Sequence, residues 1–227
     1  KRPASVAGDA AKLKRDLLPA FGPHKAEAIE RADVRTLLQG IVTRGAPIQA
    51  NRTLALLRKI YNWGIGEDLV TRNPCDRLPA PAKERQRDRV LNEVELRALM
   101  VALPTSRVSR PVQLILQLQL LTAQRCGEVL RARWDQIDLT GTWWTIPAEM
   151  AKNGLSHRVP LSPQAVAVLE EARQLSPSSA TVFPSPRADK PMVITTVGLA
   201  VRRNAGDFAA VGGFKPHDLR RTAASHL

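Results

Sequence analysis

A chain of 227 residues, 44% of them hydrophobic, can bury a core and has room for one or two domains. Its 34 lysines and arginines against 21 aspartates and glutamates give a formal charge of +13. That excess favours a polyanionic partner, nucleic acid first and an anionic membrane surface second, although a basic but unrelated enzyme or a ribosome-associated protein fits it too. No apolar run approaches the ~18 residues that a bilayer span needs, so no membrane partner is expected; the best candidate, 112–121, is interrupted by Gln113, Gln117 and Gln119. Lys1-Arg2-Pro3-Ala4 has no apolar signal core. Cys75 and Cys126 belong to no Cys-x-x-Cys or Cys/His cluster, so no zinc or other metal is expected. A disulfide between them stays open, with a reducing cytoplasm the simpler reading. The sequence lacks an initial Met and stops within a helical pattern, which reads as a fragment of something longer.

The first eighty or so residues read as helical. Residues 9–18 have one apolar face, and 33–42 form a second candidate, with Asp33 placed to cap it. Pro47 can open a third, in which Leu54, Leu57, Tyr61 and Ile65 recur at helical spacing. Asn51, Arg52, Arg58, Lys59 and Asn62 fall opposite, a basic and amide-rich face suited to phosphate contacts or simply to water. Thr71-Arg72-Asn73-Pro74 ends this helix. The proline-rich and then densely charged stretch that follows has little to bury and reads as a linker over 83–89, between a helical domain at 1–82 and a second domain at 90–227 that is incomplete at its C-terminus. The net charge is +7 over residues 1–88 and +6 over 89–227, as expected if two domains close around one duplex.

The second domain mixes helix with a little sheet. Asn92, with Glu95 three residues on, predicts a capped helix running to Leu103. Residues 112–121 predict an apolar central helix. Residues 142–146 and 157–161 predict strands, and Lys152-Asn153-Gly154 between them supplies an Asn-Gly hairpin signal. Pro163 opens a helix to Leu175, residues 193–204 predict another, and Pro216-His217-Asp218 begins the last. The fold class expected is mainly α: a helical domain plus a mixed α+β domain with a small antiparallel sheet.

Three segments carry potential chemistry. Thr122-Ala123-Gln124-Arg125-Cys126-Gly127-Glu128 places an arginine at a helix junction, Lys152 lies between two strands, and in His217-Asp218-Leu219-Arg220-Arg221-Thr222 the spacing puts His217 and Arg220 on one side of a helix. Taken singly, such residues are ordinarily solvated. Their order within a basic, two-part chain is what gives them weight.

In that order the chain resembles the tyrosine recombinases of the phage integrase family. Leu121 through Glu128, Lys152-Asn153-Gly154 with His157-Arg158-Val159-Pro160-Leu161-Ser162, and His217 through Thr222 carry the resemblance. The stretches Asn51-Arg52-Thr53-Leu54, Tyr61-Asn62-Trp63 and Asn73-Pro74-Cys75 more weakly resemble the family's helical core-binding domain. The resemblance implies double-stranded DNA as partner, a tetramer on DNA at full length, and no cofactor. Arg125 and Arg220 would clamp the scissile phosphate through guanidinium forks. Lys152 would protonate the leaving 5′ oxygen, and His217 would assist proton transfer or hold the phosphate. Glu128 would orient its neighbours from behind, and Arg52, Arg58, Lys59 and Arg221 would contact DNA.

The sequence departs from the family in one respect. The family's nucleophilic tyrosine, and a preceding His or Trp, follow the His-x-x-Arg segment, whereas the single tyrosine here is Tyr61, on the apolar face of an N-terminal helix. A fragment of this kind is expected to bind DNA without cleaving it. A non-cleaving DNA-binding protein of the same fold would look alike. An RNA-binding or ribosomal protein leaves the Arg, Lys and His-x-x-Arg order unexplained and lacks aromatic-rich strands. A metal-dependent nuclease would have Asp135 and Asp138 as its close acidic pair.

Overall fold

The structure is a computed structural model that describes residues 3–84, 87–151, 154–186 and 188–226. The chain divides into two compact units, Lys1–Gln86 and Arg87–Leu227. Both are mainly helical, and the second adds small antiparallel sheets. Among the described residues no helix is long and apolar enough to cross a membrane.

In the first unit, α1 (Pro3–Lys12) continues through a π-helical turn (Leu13–Leu17) into α2 (Leu18–Phe21). The helix is longer at both ends than its apolar stripe predicts. Within it, Asp16 is buried. Its buried carboxylate takes Arg15 at 2.9 Å and Arg44, from just beyond α3 (Arg31–Thr43), at 2.7 Å. Hydrogen bonding to Arg15 outweighs burial and holds the Asp16 carboxyl below its ordinary range.

Asp33 is not the cap of α3, as its position in the sequence predicts. The helix begins earlier, with Glu30 as N-cap, and Asp33 accepts the Glu30 backbone N–H at 2.8 Å from the third helical position. Pro47 opens α4 (Pro47–Gly66), and Leu54, Leu57 and Tyr61 are buried against α3 as their spacing predicts. Ile65, expected on the same face, is 38% exposed near the helix end. The Tyr61 hydroxyl donates to the Ala26 carbonyl at 2.9 Å. Tyr61→Phe should therefore lower stability by about 1 kcal/mol while the ring stays packed, as urea unfolding would register.

In the second unit, Asn92 caps α5 (Glu93–Thr105) in a complete capping box: its side chain accepts the Glu95 N–H and Glu95 accepts the Asn92 N–H, both at 2.9 Å. The core is built around α6 (Arg110–Thr122), which packs on α8 (Pro163–Leu175) and α10 (Pro216–His226). Two of its glutamines are buried. Gln113 is satisfied by Arg110 and the Val108 carbonyl. After α7 (Cys126–Leu130) come β1 (Ile137–Asp138), β2 (Trp143–Ile146) and β3 (His157–Pro160), an antiparallel sheet in that order. Ile146 pairs with His157, so the connection occupies 147–156, between strands that lie where the sequence predicts them. Lys152 and Asn153 lie outside the described residues. Ser162 caps α8 through the Ala165 N–H. A second antiparallel pair, β4 (Pro184–Ser185) and β5 (Ala188–Pro191), precedes α9 (Ile194–Arg203).

The charged stretch read as a linker is engaged at both described ends. Glu84 accepts from Asn51 in the first unit. In the second, Arg87 donates to both Asp218 oxygens and to the Gly213 carbonyl, and Arg89 donates to Glu95 and the Val211 carbonyl. The Leu91 N–H donates to Thr222 Oγ1 at 2.9 Å. The segment beginning at Arg87 is thus a strap over α10. Both cysteines are buried and free, with burial pushing each thiol up to about 11.

Candidate active site

Arg125 is presented where α6 gives way to α7. Helix α6 ends on Ala123 in a left-handed conformation (φ 53°), which costs a non-glycine residue about 1 kcal/mol. Gln124 then donates back to the Thr122 carbonyl at 2.9 Å, and Arg125 becomes the N-cap of α7.

The side chain that organises this corner is Glu128, 2% exposed. One carboxylate oxygen accepts the Arg125 backbone N–H at 3.0 Å; the other accepts Arg125 Nη1 at 2.9 Å. From α10, Arg220 Nη1 lies 3.7 Å from the first oxygen, too far for a hydrogen bond, and this buried nitrogen has no hydrogen-bond partner among the described residues. Two guanidiniums therefore share one buried carboxylate and leave one positive charge over.

The electrostatics follow from that imbalance. Burial would raise the Glu128 carboxyl, but hydrogen bonds from Arg125 and the charges of Arg125 and Arg220 outweigh it and hold the group below its ordinary range. Burial, and then repulsion from Arg125, pull Arg220 below the usual arginine range, with Glu128 opposing. An arginine stays charged even so. A half-buried cation with an unused donor and a like-charged neighbour is poised to take an oxyanion that can offer two oxygens to a guanidinium fork, such as a phosphate.

His217 is exposed near the start of α10, three residues before Arg220 and on the same side of the helix. Its neighbour Asp218 is buried and accepts Arg87 and the Lys215 N–H. Arg221 leans on Asp218 at 3.7 Å. From the sheet, His157 Nε2 sits 3.2 Å from Gln124 Oε1. Asp135 and Asp138 are engaged locally, by Arg133 and by the Gly141 N–H. Among the described residues no group of three or more His, Cys, Asp or Glu side chains is placed to hold a metal ion.

The phage integrase family model matches residues 89–227, and the model of the phage integrase central domain matches residues 5–80. The chain belongs to the phage integrase family. Prophage integrase IntZ of Escherichia coli (strain K12) is 33% identical to it, and prophage integrase IntA of the same strain 30% identical; each match covers 95% of this chain and 52% of the relative. The chain thus spans about half the length of these relatives. Among solved structures, a lambda integrase dimer bound to a COC′ core site superposes with a TM-score of 0.76 at 20% identity, covering 99% of this chain and 82% of that one. At that identity the likeness shows the fold.

Within this integrase-family fold, the polar face of α4 is partly committed to its own unit. Arg58 donates to the Cys75 and Leu78 carbonyls. Asn51 bonds the Ala82 backbone at both N–H and carbonyl, and Asn62 accepts from Asn73 at 2.6 Å. Of the polar face read as suited to phosphate or to water, these three side chains instead pin the segment after α4, while Arg52 and Lys59 are exposed. Sequence reasoning gave no role to Gln124, His157, Arg87 or Asp218. Gln124, His157 and Asp218 lie within the stretches that carry the family resemblance, whereas Arg87 has no local signal.

Proposed function

We propose that this integrase-family chain grips duplex DNA and supplies the phosphate-activating groups of a tyrosine-type site-specific recombinase. Such an enzyme cuts and rejoins strands through a 3′-phosphotyrosine link. The observation that carries this reading is the Arg125–Glu128–Arg220 cluster, with its surplus charge and its unpartnered buried guanidinium nitrogen.

In this reading a non-bridging phosphate oxygen takes the open position on Arg220, with Arg125 beside it. Both arginines gain strength as negative charge builds on the pentacoordinate phosphorus. Glu128 holds Arg125 by backbone and side chain together, so the fork does not have to be oriented during the reaction. A tyrosine oxygen attacks phosphorus and the 5′ oxygen leaves, taking a proton from Lys152 on the β2–β3 connection. His217 holds the phosphate or assists proton transfer by accepting the proton that the tyrosine hydroxyl gives up. The link conserves the phosphodiester's energy, so rejoining requires no ATP.

The one tyrosine among the 227 residues, Tyr61, is packed in the first unit and bonded to Ala26, so the attacking tyrosine is assigned outside residues 1–227. This chain alone then binds DNA without cutting it, and the full-length protein works in the cytoplasm as a tetramer on DNA. Arg52, Lys59 and Arg221 contact the backbone, with Arg58 contributing only by its charge. The domain boundary falls across residues 83–89. A non-cleaving DNA-binding protein is the second reading, and the lone, buried tyrosine is what favours it.

Fluorescence anisotropy on the 227-residue chain tests the grip. The chain should bind duplex DNA without magnesium, and log affinity should fall linearly with log salt at about −0.9 per phosphate contacted. Arg52→Ala should flatten that slope by about 1. Salt-independent binding, or a preference for folded RNA, would overturn the proposal.

A further inference from the structure

Gln124 and His157 have no part in the chemistry above, yet they join two of the three segments that supply it. Gln124 immediately precedes Arg125, in the strained corner after the left-handed Ala123. His157 is the first residue of β3, directly after the 147–156 connection on which Lys152 lies. The bond of 3.2 Å between them spans 33 residues of sequence.

The bond has a single polarity. Gln124 Nε2 donates to the Thr122 carbonyl at 2.9 Å. That fixes the carboxamide, because the flipped orientation would set its oxygen against a carbonyl oxygen. Oε1 therefore faces the imidazole and accepts, so His157 Nε2 carries the proton. Gln124 thus bridges the end of α6 to the start of β3, with Arg125 next along the chain.

The sheet does not depend on this bond for its stability. Trp144, Ile146 and Val159 bury its inner face, and the β2–β3 ladder pairs four residues on each strand. A half-buried side-chain bond added to such a hairpin contributes orientation more than stability.

We infer that Gln124 and His157 are positioning residues whose hydrogen bond sets the register between the phosphate-clamping arginine and the hairpin that delivers the leaving-group proton. The inference rests on the recombinase reading above. The two groups must converge on adjacent oxygens of one phosphate; Arg131, after α7, donates to the Met150 carbonyl at 3.3 Å in the connection, while the Gln124–His157 bond ties the corner next to Arg125 to the strand that follows that connection. A displacement of about 1 Å at such a site costs on the order of 100-fold in rate.

The test compares single-turnover formation of the covalent adduct by the full-length protein, on a nicked duplex carrying its crossover site, for wild type, Gln124→Ala, His157→Ala, the double variant and His157→Gln. Each alanine variant should slow adduct formation by roughly 10- to 100-fold with duplex affinity unchanged. The double variant should be no slower than the worse single one, because both remove the same contact. His157→Gln keeps an N–H donor and should restore most of the rate. In the 227-residue chain, nitrogen-15 spectra should show His157 protonated at Nε2, with that signal moving in Gln124→Ala.

Wild-type rates in the alanine variants, or losses that multiply in the double variant, would overturn the inference. If wild type itself forms no adduct, the recombinase reading is what fails, and the imidazole spectra still decide whether the contact exists.

Discussion

Replacing Arg220 with lysine should slow covalent-adduct formation by roughly 100- to 1000-fold in the full-length protein, with duplex affinity little changed. Arg220 reaches the site from α10 with its Nη1 buried, without a hydrogen bond among the described residues and 3.7 Å from Glu128. Lysine keeps the charge but loses the fork. A compact ammonium cannot serve Glu128 and two phosphate oxygens together, and it is harder to strip of water. Affinity changes little because the duplex is held by many backbone contacts over a basic surface, of which this is one. Arg220→Ala should go further, to background cleavage. A comparable loss of affinity and rate would instead make Arg220 an ordinary anchor. The measurement is a pair of curves on one duplex, anisotropy for binding and gel-resolved adduct for chemistry.

Glu128→Ala should have the largest effect on stability among the site residues. The carboxylate is 2% exposed and serves the Arg125 backbone, the Arg125 guanidinium and the Arg220 charge. Removing one partner of a fully buried ion pair costs ~3–5 kcal/mol. Here the Arg125 side chain is 37% exposed and the Arg220 side chain 28%, so water takes over part of the lost interaction, and about 2 kcal/mol is expected. Glu128→Gln keeps an acceptor for the α7 N-terminus and should cost about 1 kcal/mol.

The pH dependence separates charge from packing. The folded Glu128 carboxyl lies below its ordinary value of 4.5, so its ionised form is the one the fold favours. The stability it adds is fully present above pH 4.5 and is lost as pH falls through the lower folded value. The stability difference between wild type and Glu128→Gln should accordingly be flat above pH 4.5 and shrink below it. A difference that grows on acidification would contradict the ion-pair origin. Urea midpoints across that range supply the measurement.

The features legible in the sequence were the local ones. Asn92 and Glu95 form their capping box within four residues, and Leu54, Leu57 and Tyr61 mark the buried face of α4 by spacing alone. β1 was not legible, because two residues carry no alternation to read. Asp33 misled by one helical turn, because an acidic residue is equally at home at the cap or at the third position. The strands stop at Ile146 and resume at His157, where the sequence placed them. Gly154 adopts positive φ within the connection, as its turn signal requires.

The site divides the same way. Arg125, Lys152, His217 and Arg220 stand out by residue type and order, and Arg125 with Glu128 by spacing. The contact between Arg87 and Asp218 joins residues 131 apart, and nothing local to Arg87 announces it; a charged stretch beside prolines reads as solvated linker until its partner is in view. His157 at a strand start is likewise unremarkable until Gln124 faces it across the corner.

Adduct trapping with the full-length protein on a nicked duplex, in the presence of a metal chelator, tests the central claim most directly. A protein–DNA link resistant to denaturation should form at a 3′ phosphate without magnesium, and Arg220→Ala should abolish it. Cleavage that requires magnesium and leaves no protein attached, or an adduct that forms equally well without Arg220, would contradict the assignment of the Arg125–Glu128–Arg220 cluster.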